Sequence, residues 1–278
     1  MVASSEDSKA FSGSPTTLSA DAVTMDLTMC GLLPDRAAEI AQLYQDHGTW
    51  NQVKQAWFHE RRGNRSTRGS SQKIFRVLSG RFKNAPPTLP TPSDLPQLLA
   101  ACSTPQSTAQ VLYFYLIADD PLVRYVVQTY VGRQAATPSR ELDFSTDALT
   151  SILSQIVYDD GTEFDYAQST TKRWCRGFRS VLRDIGALGE SATATDTPPT
   201  VDTVPLLVAV GYSYEVGDDH WVESPRGLQY LFQPESRWEE LYDRVARTDV
   251  WEYIELHGQL QLRPVEKLYS SITTEVVS

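Results

Sequence analysis

The chain is poor in cysteine: Cys30, Cys102 and Cys175 are the three in 278 residues, and no two of them make a CxxC pair. That spacing excludes a sequence-coded zinc site and points to a reducing compartment. Long apolar runs are missing too. The longest, 111–118 and 204–210, fall far short of the roughly 20 residues that span a bilayer, so no membrane helix is expected. There is no HxE, HExxH, GxSxG or GxGxxG pattern and no glycine-rich phosphate loop after a strand. The pairs Asp119-Asp120, Asp159-Asp160 and Asp218-Asp219 are bounded by turn residues and read as exposed turns rather than Mg²⁺ sites. Of the four histidines, His47 and His59 fall at helix ends, His220 follows an acid pair and His257 lies in a turn. The chain is therefore read as no enzyme, with no cofactor and no metal. Residues 1–24 are rich in Ser, Thr, Ala and Asp and read as a disordered tail, with neither the basic start nor the apolar run of a signal peptide, so the expected location is cytoplasmic.

Basic charge is also scarce: net charge is −10, and lysine is outnumbered by arginine 6 to 19. What there is sits in two places. Between residues 54 and 83, nine basic residues (Lys54, Arg61, Arg62, Arg65, Arg68, Lys73, Arg76, Arg81, Lys83) stand against Glu60 alone. Between 172 and 183, Lys172, Arg173, Arg176, Arg179 and Arg183 stand with no acid at all. Outside these stretches 11 basic residues face 34 acidic ones, a balance that fits a salt-adapted host as well as an arginine-rich codon usage. Local surpluses of one sign on an acidic chain call for a polyanion.

The first surplus lies on three helical patterns. Pro34 and Asp35 open one whose Ala37, Ile40, Ala41 and Tyr44 recur on one face, closed by Gly48. Thr49 with Gln52 is a capping-box pattern for a second, with Trp50, Val53 and Trp57 inward. After a polar loop over 61–70, a third runs over 71–83, with Ile74, Phe75, Leu78 and Phe82 on one side and Gln72, Lys73, Arg76, Gly80 and Lys83 on the other. Two helices presenting a basic third is the plan of a helix-turn-helix, although the loop is longer than usual. The bland alternative is a solvated helix in an ordinary bundle.

The stretch 84–92 holds four prolines in seven residues and reads as a linker or surface strap. Three helices over 94–101, 108–117 and 121–134 follow, with Tyr113, Phe114 and Tyr115 as core. Ser145 and Thr146 cap a further helix, and 158–167 is an acidic loop. Ser169 and Thr170 then cap the second basic helix, over 171–188, whose Trp174, Cys175, Phe178, Val181, Leu182 and Ile185 share one arc opposite the five cations. Five like charges on one face repel by about a few tenths of a kcal/mol per neighbouring pair, so a plain scaffold helix would intersperse glutamate. Beyond it, 200–214 reads as β-rich, 226–233 as a strand or short helix, a helix runs to about Ala246, and a hairpin turns at His257-Gly258. A hairpin after a basic helix is what a winged helix shows. The expected fold is mainly α, two helical domains over 25–140 and 141–278 with helix-turn-helix and winged-helix-like units and a small C-terminal β-hairpin. Candidate DNA contacts are Arg61, Arg62, Arg65, Arg68, Gln72, Lys73, Arg76, Lys83, Lys172, Arg173, Arg176, Arg179 and Arg183.

Leu32-Leu33-Pro34 through Ala37, Glu39 and Ile40 to Tyr44, with Thr49-Trp50 and Val53-Lys54, resembles the opening of the BrxA family, small accessory proteins of BREX phage-defence systems. Ser169 to Arg173 with Val181 to Leu188 resembles that family's second basic helix. The resemblance covers roughly residues 27–264, and the N-terminal tail, the 61–70 loop and the 189–200 insertion depart from it. It implies a soluble, mostly helical protein that binds double-stranded DNA, serves a multi-protein antiviral defence complex and carries no catalytic residues. Competing readings are an RNA-binding helical protein, a dimeric transcriptional regulator, and a protein-only assembly adaptor whose arginines meet acidic protein.

Overall fold

The computed structural model describes residues 17–59, 68–136, 142–189, 198–217, 221–256 and 259–265. Its helices are α1 (Pro34–His47), α2 (Trp50–His59), α3 (Arg68–Lys83), α4 (Leu95–Ala100), α5 (Pro105–Asp119), α6 (Pro121–Ala136), α7 (Thr146–Leu153), α8 (Gln168–Asp184), α9 (Thr203–Val216), α10 (Arg226–Tyr230) and α11 (Trp238–Ala246), followed by an antiparallel hairpin, β1 (Trp251–Leu256) and β2 (Gln259–Pro264). The protein is mainly helical with one small C-terminal hairpin. None of the described helices is long and apolar enough to cross a membrane.

Two helices are apolar all round. From Ala109 to Ile117, α5 is buried on every side, and α9 is buried from Val204 to Ser213. A helix with no polar face can only be central. Accordingly α5 packs on α1, α3 and α6 and also on α8 and α9. Buried side chains from Leu18 to Leu262 form one cluster. The boundary expected near residue 140 lies within 137–141, outside the described residues.

The β-rich reading of 200–214 fails: this stretch is mostly α9. A continuous apolar run has no alternation, and Pro205 is tolerated because it falls in the first turn, where backbone N–H groups lack helical partners anyway. The 226–233 stretch is the short helix α10. It lies so close to α9 that a Cβ at Gly227 would stand 1.9 Å from the Ala209 carbonyl oxygen. Ser213 secures the crossing, donating to Ala209 O (2.8 Å) while its Oγ accepts from Gly227 N–H (2.8 Å). Three helices, α9 to α11, thus separate the second basic helix from the hairpin. The hairpin rests on α11, and Trp251 fits into an aromatic group with Tyr214 and Trp221.

The tail reading fails over 17–24. Leu18 and Val23 are buried, and Leu18 pairs in parallel with Tyr158, its carbonyl accepting from Asp159 N–H (2.9 Å). Composition is a weak guide where two apolar side chains suffice to anchor a segment. Residues 1–16 lie outside the described ones. The proline segment is a strap: Leu89 is buried and Tyr115 OH donates to Pro90 O (2.6 Å).

Asp119-Asp120 is not an exposed turn: Asp119 ends α5, and Asp120 is the one residue between α5 and α6. Its carboxylate is buried and accepts from Leu122 N–H (3.0 Å) and Val123 N–H (3.2 Å), capping α6. Burial pushes its pKa from 3.8 up to about 6, opposed by those amides and by Arg81. The folded state therefore holds this proton more tightly than the unfolded chain, and folding stability from this group rises as pH falls from about 6 to about 4. Two pKa units amount to at most about 3 kcal/mol. Asp120→Asn keeps an acceptor for the cap and cannot titrate. Unfolding by urea at pH 7 and pH 4 is expected to show the unaltered chain gaining on the Asn variant by up to about 3 kcal/mol at the lower pH. An unchanged difference would mean that the buried carboxyl titrates normally.

Candidate nucleic-acid interface

The second basic helix is α8. It begins at Gln168, with Ala167 as N-cap and no side chain capping it, so Ser169 and Thr170 lie inside the first turn rather than before it. The arc expected to face inward does so: Trp174, Cys175, Phe178, Val181, Leu182 and Ile185 are fully buried, with the Trp174 and Phe178 rings stacked at 5.4 Å. Burial raises the pKa of the Cys175 thiol, keeping it protonated beside Thr150. Lys172, Arg173, Arg176 and Arg183 are exposed. Among the described residues no carboxylate lies within ion-pair distance of any of these four, and only the Arg176 Nε bends back to a backbone oxygen, Lys172 O at 3.3 Å. Asp184, the first acid after the run, is half-buried; burial raises its pKa against the pull of Arg183.

Arg179 departs from the expectation. It is half-buried at the edge of α8 that packs on α7, where one guanidinium nitrogen donates to Thr146 Oγ1 (3.4 Å) and the buried Nε meets no partner among the described residues. Its 100°-per-residue position borders the apolar arc, so it belongs with the α7 contact more than with the open face.

On α3 the charges are more committed. The helix is carried by α1 and α2, with Trp57 donating to Ser71 Oγ (3.0 Å) and both Trp57 and Phe58 packed on Phe75. Arg81, one of the nine basic residues counted between 54 and 83, is 4% exposed and donates to Gly31 O (2.6 Å) and Cys30 O (3.1 Å), a backbone-anchoring role. Lys83 sits over the Trp50 ring at 5.0 Å, a cation–π contact. Arg76 is paired with Asp26 at 3.1 Å. Gln72 and Lys73 are exposed. Arg61, Arg62 and Arg65 lie outside the described residues, and Arg68 opens α3 with its side chain outside them.

The two basic helices flank one segment, residues 26–31, a second strap that opens with a 3-10 turn over Asp26–Thr28. From α3, Arg76 and Arg81 hold it; from α8, Gly177 admits it, since a Cβ there would be 2.3 Å from Leu27 O, and a Cβ at Gly31 would stand 3.9 Å from Val181 Cγ2. Met29 is 44% exposed within this strap. Sequence reasoning missed Asp26 and Gly177. Asp26 left no signal, because its partner is 50 residues away. Gly177 did: a glycine inside a strongly patterned helix marks close backbone approach.

Among the described residues no three of His, Cys, Asp and Glu gather as a metal site would require. No family model and no curated protein matches this chain.

Proposed function

We propose that the protein binds double-stranded DNA without catalysing a reaction, with α8 as the main contact and α3 beside it, and that it serves as an accessory protein of a BREX-type phage-defence system. One observation carries the DNA reading. Lys172, Arg173, Arg176 and Arg183 stand exposed on one helix face with no carboxylate paired to them among the described residues, on a chain whose net charge is −10. Arginine and lysine without interleaved aromatics suit the phosphates of a duplex more than the bases of a single strand. Gln72 is the one exposed neutral side chain on the α3 face suited to a base edge, so sequence preference is expected to be small. The acidic remainder keeps the duplex from other faces. The defence assignment rests on the resemblance to the BrxA family in 32–54 and 169–188.

The test is fluorescence anisotropy with labelled duplex DNA, single-stranded DNA and duplex RNA across a salt series. The expected result is tightest binding to duplex DNA, with a log–log salt slope equivalent to about four to eight phosphates. No binding at any salt would assign the arginine faces to an acidic protein partner.

A further inference from the structure

We infer that Asp26 is a built-in competitor on this surface: its carboxylate holds the Arg76 guanidinium in the free protein, and a backbone phosphate of the duplex takes its place on binding. The inference rests on the DNA-binding reading above.

The geometry supports the exchange from three sides. The pair joins the strap to α3 at 3.1 Å, and the Arg76 side chain is 68% exposed against 32% for Asp26, so the arginine stays reachable from solvent while bonded. Among the described side chains Arg76 and Arg81 are the α3 cations that bond the strap, and α8 presses on that same strap through Gly177 at Leu27, the residue after Asp26. Arg76 is thus placed on the α8 side of α3, whereas Arg81 is buried and Lys83 is turned to Trp50. Released from Asp26, it would extend the open face of α8 across the strap onto α3. An ion pair this exposed is weak, and a phosphate that makes charge-assisted bonds with the same guanidinium can displace it.

Asp26→Asn tests the exchange. The strap keeps its backbone bonds, since the Asp26 carbonyl still accepts from Met29 N–H (2.9 Å) and Cys30 N–H (3.0 Å). The control is Asp21→Asn, the same charge change at an exposed acid with no arginine partner among the described residues. Duplex affinity is measured by anisotropy at several salt concentrations for both variants and the unaltered chain. Asp26→Asn is expected to bind about threefold to fivefold more tightly at 0.1 M salt, the upper part of the range of one exposed ion pair. Its log–log salt slope should match that of the unaltered chain, because Arg76 meets the phosphate in both; a slope steeper by about one would mean that the unaltered chain keeps Arg76 on Asp26 and would overturn the exchange. Asp21→Asn should stay within about twofold of the unaltered chain, since it releases no arginine among the described residues and an exposed charge is partly screened by salt. Equal gains from both variants, or none from Asp26→Asn, would overturn the exchange while leaving DNA binding intact. Failure of the unaltered chain to bind duplex would overturn both.

Discussion

Replacing Lys172, Arg173 and Arg176 with glutamate is expected to weaken duplex binding by at least about a hundredfold near 0.1 M salt and to make the salt slope shallower by about three. Melting should stay within about 2 °C, as for surface changes that touch no packed group. The three side chains are exposed, and none bonds a carboxylate among the described residues, so no partner is orphaned by their loss. Reversal turns the 176/179 neighbours into an opposite-charge pair and leaves the other neighbouring pairs like-charged, so the helix itself is little affected. Arg179 is left out on structural grounds: with its guanidinium half-buried against α7, reversal would place an unpaired carboxylate in a desolvated site and confuse lost binding with lost folding. Normal binding by a folded triple variant would remove α8 as the contact surface and turn attention to a protein partner.

Much of this face was legible because it rests on one helical period. The arc from Trp174 to Ile185 and the cations opposite it follow from 100° per residue, and the same arithmetic put Phe75, Leu78 and Phe82 inside α3. What periodicity cannot supply is the partner on the other side. Arg81 and Arg76 lie within one basic stretch of sequence, yet one is a buried clamp on carbonyls 50 and 51 residues away and the other is held by a carboxylate 50 away. Arg179 was misplaced for a related reason: its angle lies at the edge of the arc, where the neighbouring helix decides burial. The β reading of 200–214 failed differently, because a run buried on all sides carries no period to tell helix from strand. Even the tail ended earlier than composition said, since Leu18 found Tyr158 across the fold.

The inner face of α8 gives the other large effect. Trp174→Ala is expected to cost about 3–5 kcal/mol, the usual loss when a large aromatic side chain is removed from a packed core, and to lower the melting temperature by on the order of 10 °C. Trp174 is fully buried and stacked 5.4 Å from Phe178, so truncation leaves a cavity between α8 and the elements it packs on. Trp174→Phe should cost less than about 1.5 kcal/mol, because it keeps an aromatic ring and removes an indole N–H that has no partner among the described residues. Thermal melts of the two variants decide the orientation of the helix. If the alanine variant melted like the unaltered chain, Trp174 would face solvent, and the rotation that exposes it would carry Lys172 and Arg176 inward. A burial of that kind would leave two unpaired cations in the core, which no helix tolerates cheaply, and the DNA-binding proposal would fall with it.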